Sequence, residues 1–209
     1  MQPFTTLSSI VTPLTDDEIN TDQIIPSQYL RDVHADLGYG LFAFLRRTPD
    51  NEIKSNFPLE DARYKGSQIL LVGNNFGCGS SREHAVWALQ DFGFKCLIGL
   101  SFAELFRENC LKNGLLPITL SSVSMSLLMK YLTSNEAPQL IRIELHSCKL
   151  IGADGAEILT FSMNENERHM LMNGLDDIGL TLEGMWQIRN WEKNTQINKP
   201  WLISPINLV

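Results

Sequence analysis

Residues 68–120 read QILLVGNNFGCGSSREHAVWALQDFGFKCLIGLSFAELFRENCLKNGLLPITL, and their pattern decides the fold. The run 68–73 is short and apolar, the mark of a buried strand. A polar, glycine-bearing loop follows over 74–80. From Ser81 the spacing predicts a helix: Ala85, Ala88, Leu89 and Phe92 recur at helical intervals, and Gly93 is a natural stop. The run 95–100 is a second strand. Ser101 with Glu104 three residues on predicts a capping box that opens a second helix. Phe102, Leu105 and Phe106 line its apolar side, and Gly114 ends it. Residues 115–120 read as a third strand and 125–132 as a third helix. A β-α-β-α-β order calls for a parallel sheet with right-handed crossovers.

Outward from this centre the pattern changes. Residues 140–150 and 157–161 are β-prone, with Ala153-Asp154-Gly155 as a hairpin signal. Helical stretches follow from Asn164 and over 180–191. The first 65 residues are rich in turn signals, among them Thr12-Pro13, Ile25-Pro26 and Phe57-Pro58, and are expected to form loops and short strands. No linker divides the chain. The expectation is one α/β domain over 1–209 with mixed strands and flanking helices.

Composition narrows the function. The chain has 209 residues, 44% hydrophobic and 20% charged, as in an ordinary globular protein. Lys plus Arg number 17 against 24 Asp plus Glu, a net charge of −7. Nucleic acid is therefore not an expected partner, because phosphate binding needs a basic face. No run approaches the ~20 apolar residues of a membrane span, and the start of the chain lacks the pattern of a signal peptide. A cytoplasmic protein without membrane contact is expected. The four cysteines, Cys78, Cys96, Cys110 and Cys148, are dispersed and read as reduced thiols.

The chemistry is concentrated in Asn75-Phe76-Gly77-Cys78-Gly79-Ser80-Ser81-Arg82-Glu83-His84. A loop between a buried strand and a helix start offers backbone N–H groups at the positive end of the helix dipole. Gly77 and Gly79 allow the backbone close to a ligand. Arg82 adds a planar fork for a carboxylate or phosphate. A P-loop lysine is absent, and Arg82 stands where a dinucleotide fingerprint needs its last glycine. A small carboxylate is the better match. The competing reading is structural: Ser80-Ser81-Arg82-Glu83 is itself a capping box. Likewise His84 is read as a structural hydrogen-bonder or a catalyst, and Cys78 as a space-filler or a helix-activated nucleophile.

With its surroundings this loop resembles the small subunits of bacterial 3-isopropylmalate dehydratases, within the aconitase superfamily. The matching residues are Asn20-Thr21-Asp22-Gln23-Ile24-Ile25-Pro26, Asn75 to His84, Ser101-Phe102-Ala103-Glu104-Leu105-Phe106, Gly114-Leu115-Leu116-Pro117, and Asn173-Gly174-Leu175-Asp176-Asp177-Ile178-Gly179-Leu180-Thr181-Leu182. They keep the family order to about Trp191, so that 193–209 reads as a C-terminal extension. The resemblance implies the swivelling β/β/α domain of aconitases. It implies isomerisation of 2-isopropylmalate to 3-isopropylmalate by dehydration and rehydration through 2-isopropylmaleate, a step of leucine biosynthesis. It also implies a 4Fe–4S cluster. Such a cluster needs three or four close thiolates, and the cysteine spacing here does not provide them. An aconitase-like large subunit is expected to carry the cluster, with this chain binding no metal itself.

By the same resemblance Ser80 matches the catalytic base, Ser81 and Arg82 match binders of the substrate carboxylates, and Asp22 matches an acid near the site. An Asx-turn role is the alternative for Asp22. Gly77, Cys78, Gly79 and His84 form the supporting loop. One segment departs from the family: His34-Ala35-Asp36-Leu37 stands where many bacterial members have an arginine before the glycine motif aligned with Gly38-Tyr39-Gly40. Arg31 is the candidate replacement charge, and Tyr29, Leu30 and Val33 the candidate apolar wall. Substrate preference is thus left open towards citraconate, citramalate or dimethylmalate. A carboxylate-binding module without chemistry is the remaining alternative.

Overall fold

The computed structural model describes residues 1–30 and 36–202. The chain divides into two compact units, Met1–Gly174 and Leu175–Val209. The first unit holds a seven-stranded sheet: β1 (Thr6–Leu14), β2 (Ile69–Val72), β3 (Cys96–Gly99), β4 (Leu116–Thr119), β5 (Leu140–Glu144), β6 (Lys149–Gly152) and β7 (Glu157–Thr160), in the order β4-β3-β2-β1-β5-β6-β7. Strands β1 to β4 pair in parallel, whereas β1-β5, β5-β6 and β6-β7 are antiparallel. The expected mixed α/β architecture is present.

Its hinge point is β1, in the region expected to hold only loops and short strands. Thr6 to Ile10 pair with β5, and Val11 to Leu14 pair with β2. Pro13 lies in the second half, beyond the end of the β5 ladder, so its missing N–H costs no ladder bond there. At the handover the buried Ser9 hydroxyl accepts from the Gln68 N–H (2.8 Å) and donates to the Ile10 carbonyl (2.8 Å). The strand is thus a splice between a parallel and an antiparallel half.

Short helices follow β1: α1 (Thr21–Ile24), α2 (Leu37–Gly40) and α3 (Ala43–Arg46). The crossover helices are α4 (Glu83–Phe92) and α5 (Glu104–Asn113), each ending at a glycine with positive φ, Gly93 and Gly114. Both begin later than the sequence pattern suggests. Helix α5 has Ala103 as its N-cap and no side-chain cap. The Ser101 hydroxyl donates instead to Asn74 Oδ1 (2.6 Å) and accepts from the Asn75 N–H (2.7 Å). A bridge between Phe76 and Phe102 keeps this stretch extended. Helix α6 (Ser122–Leu132) is properly capped by Ser121. The β-prone run 140–150 is two strands rather than one, because Cys148 takes a left-handed φ of 52° in the turn between them. The hairpin at 153–155 joins β6 to β7, with the Gly152 N–H donating to the Ala156 carbonyl (2.8 Å). Helix α7 (Glu165–Asn173) closes the unit, tied to α5 by a two-pronged ion pair from Arg107 to Glu167 at 2.7 Å on each prong.

The second unit comprises α8 (Asp177–Glu183), α9 (Met185–Asn198) and a short turn at Pro200–Leu202. Asp176 caps α8 by accepting from the Gly179 N–H at 2.7 Å. Helix α9 runs seven residues past the 180–191 stretch that the pattern suggests.

The core of the first unit gathers Phe42, Phe76 and Phe106 beneath the glycine loop. Their rings meet edge to face, with centroids 6.4 Å apart for Phe42–Phe76 and 5.5 Å for Phe76–Phe106. This cluster is the floor on which the candidate site rests.

Candidate functional site

Three connections meet at the carboxyl ends of the parallel strands β1, β2 and β3, the place where open α/β sheets hold ligands. They are 15–20 after β1, 73–82 after β2 and 100–103 after β3. Backbone bonds stitch them together. The Gly77 N–H donates to the Ile19 carbonyl (2.8 Å), the Thr21 N–H to the Cys78 carbonyl (2.9 Å), the Phe76 N–H to the Ser101 carbonyl (3.1 Å) and the Ala103 N–H to the Phe76 carbonyl (3.0 Å). The loop therefore has a neighbour on each side and is held like a short extra strand.

Gly77 is required on two counts. Its φ is +78°, and a Cβ added there would lie 2.2 Å from the Phe106 ring. Residues 79–81 then rise to the surface. Ser80 and Ser81 are exposed, and neither caps the helix: α4 begins at Glu83 with Arg82 as N-cap and no side-chain cap bond. The capping-box reading of Ser80 to Glu83 is thus corrected, because Glu83 accepts from Asn113 Nδ2 (2.9 Å) instead of reaching back. Among the described residues the Ser80 hydroxyl has no hydrogen-bond partner, and Ser81 Oγ meets Asn109 Nδ2 at 3.4 Å.

Among the described residues, none supplies an acceptor to the backbone N–H groups of Gly79, Ser80, Ser81 or Arg82. Four amide donors and two hydroxyls thus follow one another along a surface segment, or rim, that leads into a ten-residue helix. Arg82 stands at its edge, its Nη1 paired with Asp22 Oδ1. Asp22 lies in the first turn of α1, whose cap is Asn20, in a capping box with Gln23. The Asx-turn alternative for Asp22 gives way to this ion pair, and Asn20 does the capping. The remaining guanidinium donors of Arg82 stay available to an anion.

The supporting residues are placed as follows. Cys78 is half-buried, its thiol directed at the Glu18 carbonyl (3.4 Å). His84 is half-buried and packs edge-on against Trp87 with centroids 4.8 Å apart. Tyr29 and Leu30 pack on the core cluster. Arg31, Val33 and His34 lie outside the described residues. Sequence reasoning gave no role to Thr21, whose hydroxyl donates to the Ser80 carbonyl (2.9 Å), or to Asn109. Thr21 had a signal in its adjacency to Asp22. Asn109 had none, being 28 residues from its partner.

This rim is open. A cleft of about 700 Å³ lies between Gln28, Tyr39, Arg47 and Lys54, and another of about 450 Å³ lies beside residues 1–7. Neither is lined by Ser80, Ser81 or Arg82. Gly79, Ser80 and Ser81 themselves are exposed to solvent.

The cysteines do not fit a cluster. Cys96, in β3, and Cys110, in α5, are fully buried, and burial pushes both thiols well above their ordinary pKa of 9.0. Cys78 and Cys148 are half-buried, in separate loops. Among the described residues no three of His, Cys, Asp or Glu are grouped to hold a metal ion. A maleimide at pH 8 is expected to modify Cys78 and Cys148 in the folded protein and spare Cys96 and Cys110, with all four reacting in denaturant, as read by mass spectrometry. Because the two buried thiols ionise later folded than unfolded, stability falls as pH rises through the ordinary thiol range.

The aconitase C-terminal domain model matches residues 1–123, the part of the chain that contains β1 to β4 and the glycine loop. The 3-isopropylmalate dehydratase small subunit of Sinorhizobium medicae is 45% identical over 202 residues, covering 96% of this chain and 100% of that one. That of Mesorhizobium japonicum is 42% identical with the same coverage. A crystal structure described as 3-isopropylmalate dehydratase (LeuD) from Methanocaldococcus jannaschii matches with a TM-score of 0.62 at 25% identity, over 88% of this chain and 99% of that one. The chain belongs to the family of 3-isopropylmalate dehydratase small subunits. No helix among the described residues is long and apolar enough to cross a membrane.

Proposed function

We propose that this chain is the small subunit of a cytoplasmic 3-isopropylmalate dehydratase and supplies the proton-transfer half of its active site. The observation that carries the reading is the open rim. Ser80 is exposed among amides that have no acceptor among the described residues, with Ser81 and Arg82 beside it, at the carboxyl ends of the parallel strands. Converting 2-isopropylmalate to 2-isopropylmaleate removes a proton from the carbon next to one carboxylate and a hydroxide from the adjacent carbon. Adding water back in the opposite sense gives 3-isopropylmalate.

Ser80 is the base. A serine hydroxyl is too weak an acid to ionise unaided, and the helix start, the free amides and the Arg82 guanidinium all favour its anion. The C–H electron pair becomes the double bond, and the proton goes to Ser80 Oγ, which returns it to the other carbon. Ser81 and Arg82 hold the carboxylates, with Asp22 fixing the angle of Arg82. With its four cysteines dispersed, this chain is read as leaving the cluster to its partner. A 4Fe–4S cluster on an aconitase-like large subunit would supply the Lewis acid for the departing hydroxyl.

The test is reconstitution. The purified chain is expected to show no turnover alone, and mixing with its large subunit is expected to produce isomerisation of 2-isopropylmalate. Turnover by this chain alone would contradict the reading. Preference for citraconate or dimethylmalate in a substrate panel would move it to a neighbouring hydro-lyase.

A further inference from the structure

We infer that Thr21 is a positioning residue for the Ser80 base, a role that rests on the proton-transfer reading above. Thr21 opens α1 and is 2% exposed. Its backbone N–H donates to the Cys78 carbonyl, and its Oγ1 donates to the Ser80 carbonyl, both at 2.9 Å. The next residue, Asp22, holds Arg82. Two adjacent residues of one segment thus grip positions 78, 80 and 82 of the other, every second residue of the loop.

The side-chain bond has a directional consequence. A peptide unit is planar and trans, so its C=O and N–H point in opposite directions. Drawing the Ser80 carbonyl inward to a buried hydroxyl turns the N–H of the same peptide, that of Ser81, outward to the exposed side. That N–H is one of the four without an acceptor among the described residues. The hydroxyl of Thr21 therefore fixes the backbone from which the Ser80 side chain projects, and it aims a donor into the space where negative charge develops. Gly79 crosses close above: a Cβ there would lie 3.5 Å from Thr21 Oγ1. A methyl group in place of the hydroxyl would fill the same space but leave the Ser80–Ser81 peptide free to turn.

Valine has the shape of threonine without the hydroxyl, and serine keeps the hydroxyl without the methyl. In the reconstituted two-subunit enzyme, Thr21→Val is expected to lower kcat for 2-isopropylmalate by roughly 10-fold or more, with KM changed less than about 3-fold, because a misplaced base slows the chemical step. Thr21→Ser is expected to stay within about 2-fold of wild type in kcat. A packing role would give the reverse order, since serine loses the methyl that valine keeps. Thr21→Ala replaces the valine variant in the same comparison if that variant is recovered unfolded. An active wild type with Thr21→Val within twofold of it, or with Thr21→Ser as impaired as Thr21→Val, overturns the inference alone. A wild-type complex with no turnover overturns the functional reading and this inference with it.

Discussion

Replacing Ser80 by alanine is expected to reduce turnover of the reconstituted enzyme on 2-isopropylmalate by roughly 100-fold or more, the usual scale for a positioned base. That loss corresponds to about 2.7 kcal/mol of transition-state stabilisation. KM should change little, because the proposed carboxylate binders, Ser81 and Arg82, are left in place. Stability should change little as well. Ser80 is exposed, and the bond that ties it to Thr21 is made by its carbonyl, which alanine keeps. A folded complex that retains more than about a tenth of wild-type turnover would remove Ser80 from the role of base. If Ser80→Ala leaves binding intact and abolishes nothing, the rim is a carboxylate-binding surface without chemistry.

The second large effect is on folding. Gly77→Ala is expected to destabilise the protein by about 2–5 kcal/mol: about 1–2 from forcing an alanine into a left-handed conformation and about 1–3 from overpacking. The overpacking is specific. The new Cβ would sit 2.2 Å from a carbon of the Phe106 ring, which is 2% exposed and locked against Phe76. At roughly 2–4 °C per kcal/mol for a chain of this size, the melting temperature should fall by about 10 °C. Adding Phe106→Leu should restore part of the loss, because the two residues share one contact and their effects do not add. A Gly77→Ala protein that melts within about 2 °C of wild type would mean that the loop does not pass over Phe106 as described.

Legibility in the sequence was uneven for identifiable reasons. The parallel half was readable because each strand is a short apolar run and each helix ends at a glycine, so local pattern and tertiary fate agree. Strand β1 was not. TLSSIVTPL carries Ser8, Ser9 and Pro13, which look like punctuation, and only the change of pairing partner along the strand explains how they are tolerated.

Helix starts misled for a related reason. Ser101 and Ser80 both stand three residues before a glutamate, yet tertiary contacts take over in both cases. Ser101 is claimed by Asn74 and Asn75, and Glu83 is claimed by Asn113. The candidate site itself was legible as a composition of glycines, serines and an arginine. What holds it in shape was not, because Thr21 and Asn109 reach the loop from 59 and 28 residues away.

In the proposed reaction Ser80 meets the substrate's reacting carbon while the partner subunit completes the site. A structure of the two-subunit complex with 2-isopropylmalate bound tests it most directly. Ser80 Oγ is expected within about 3–3.5 Å of the carbon that loses its proton, with Arg82 and the Ser81 amide on a carboxylate. A complex in which another side chain occupies that position, with the Ser80 hydroxyl turned away from the substrate, would contradict it.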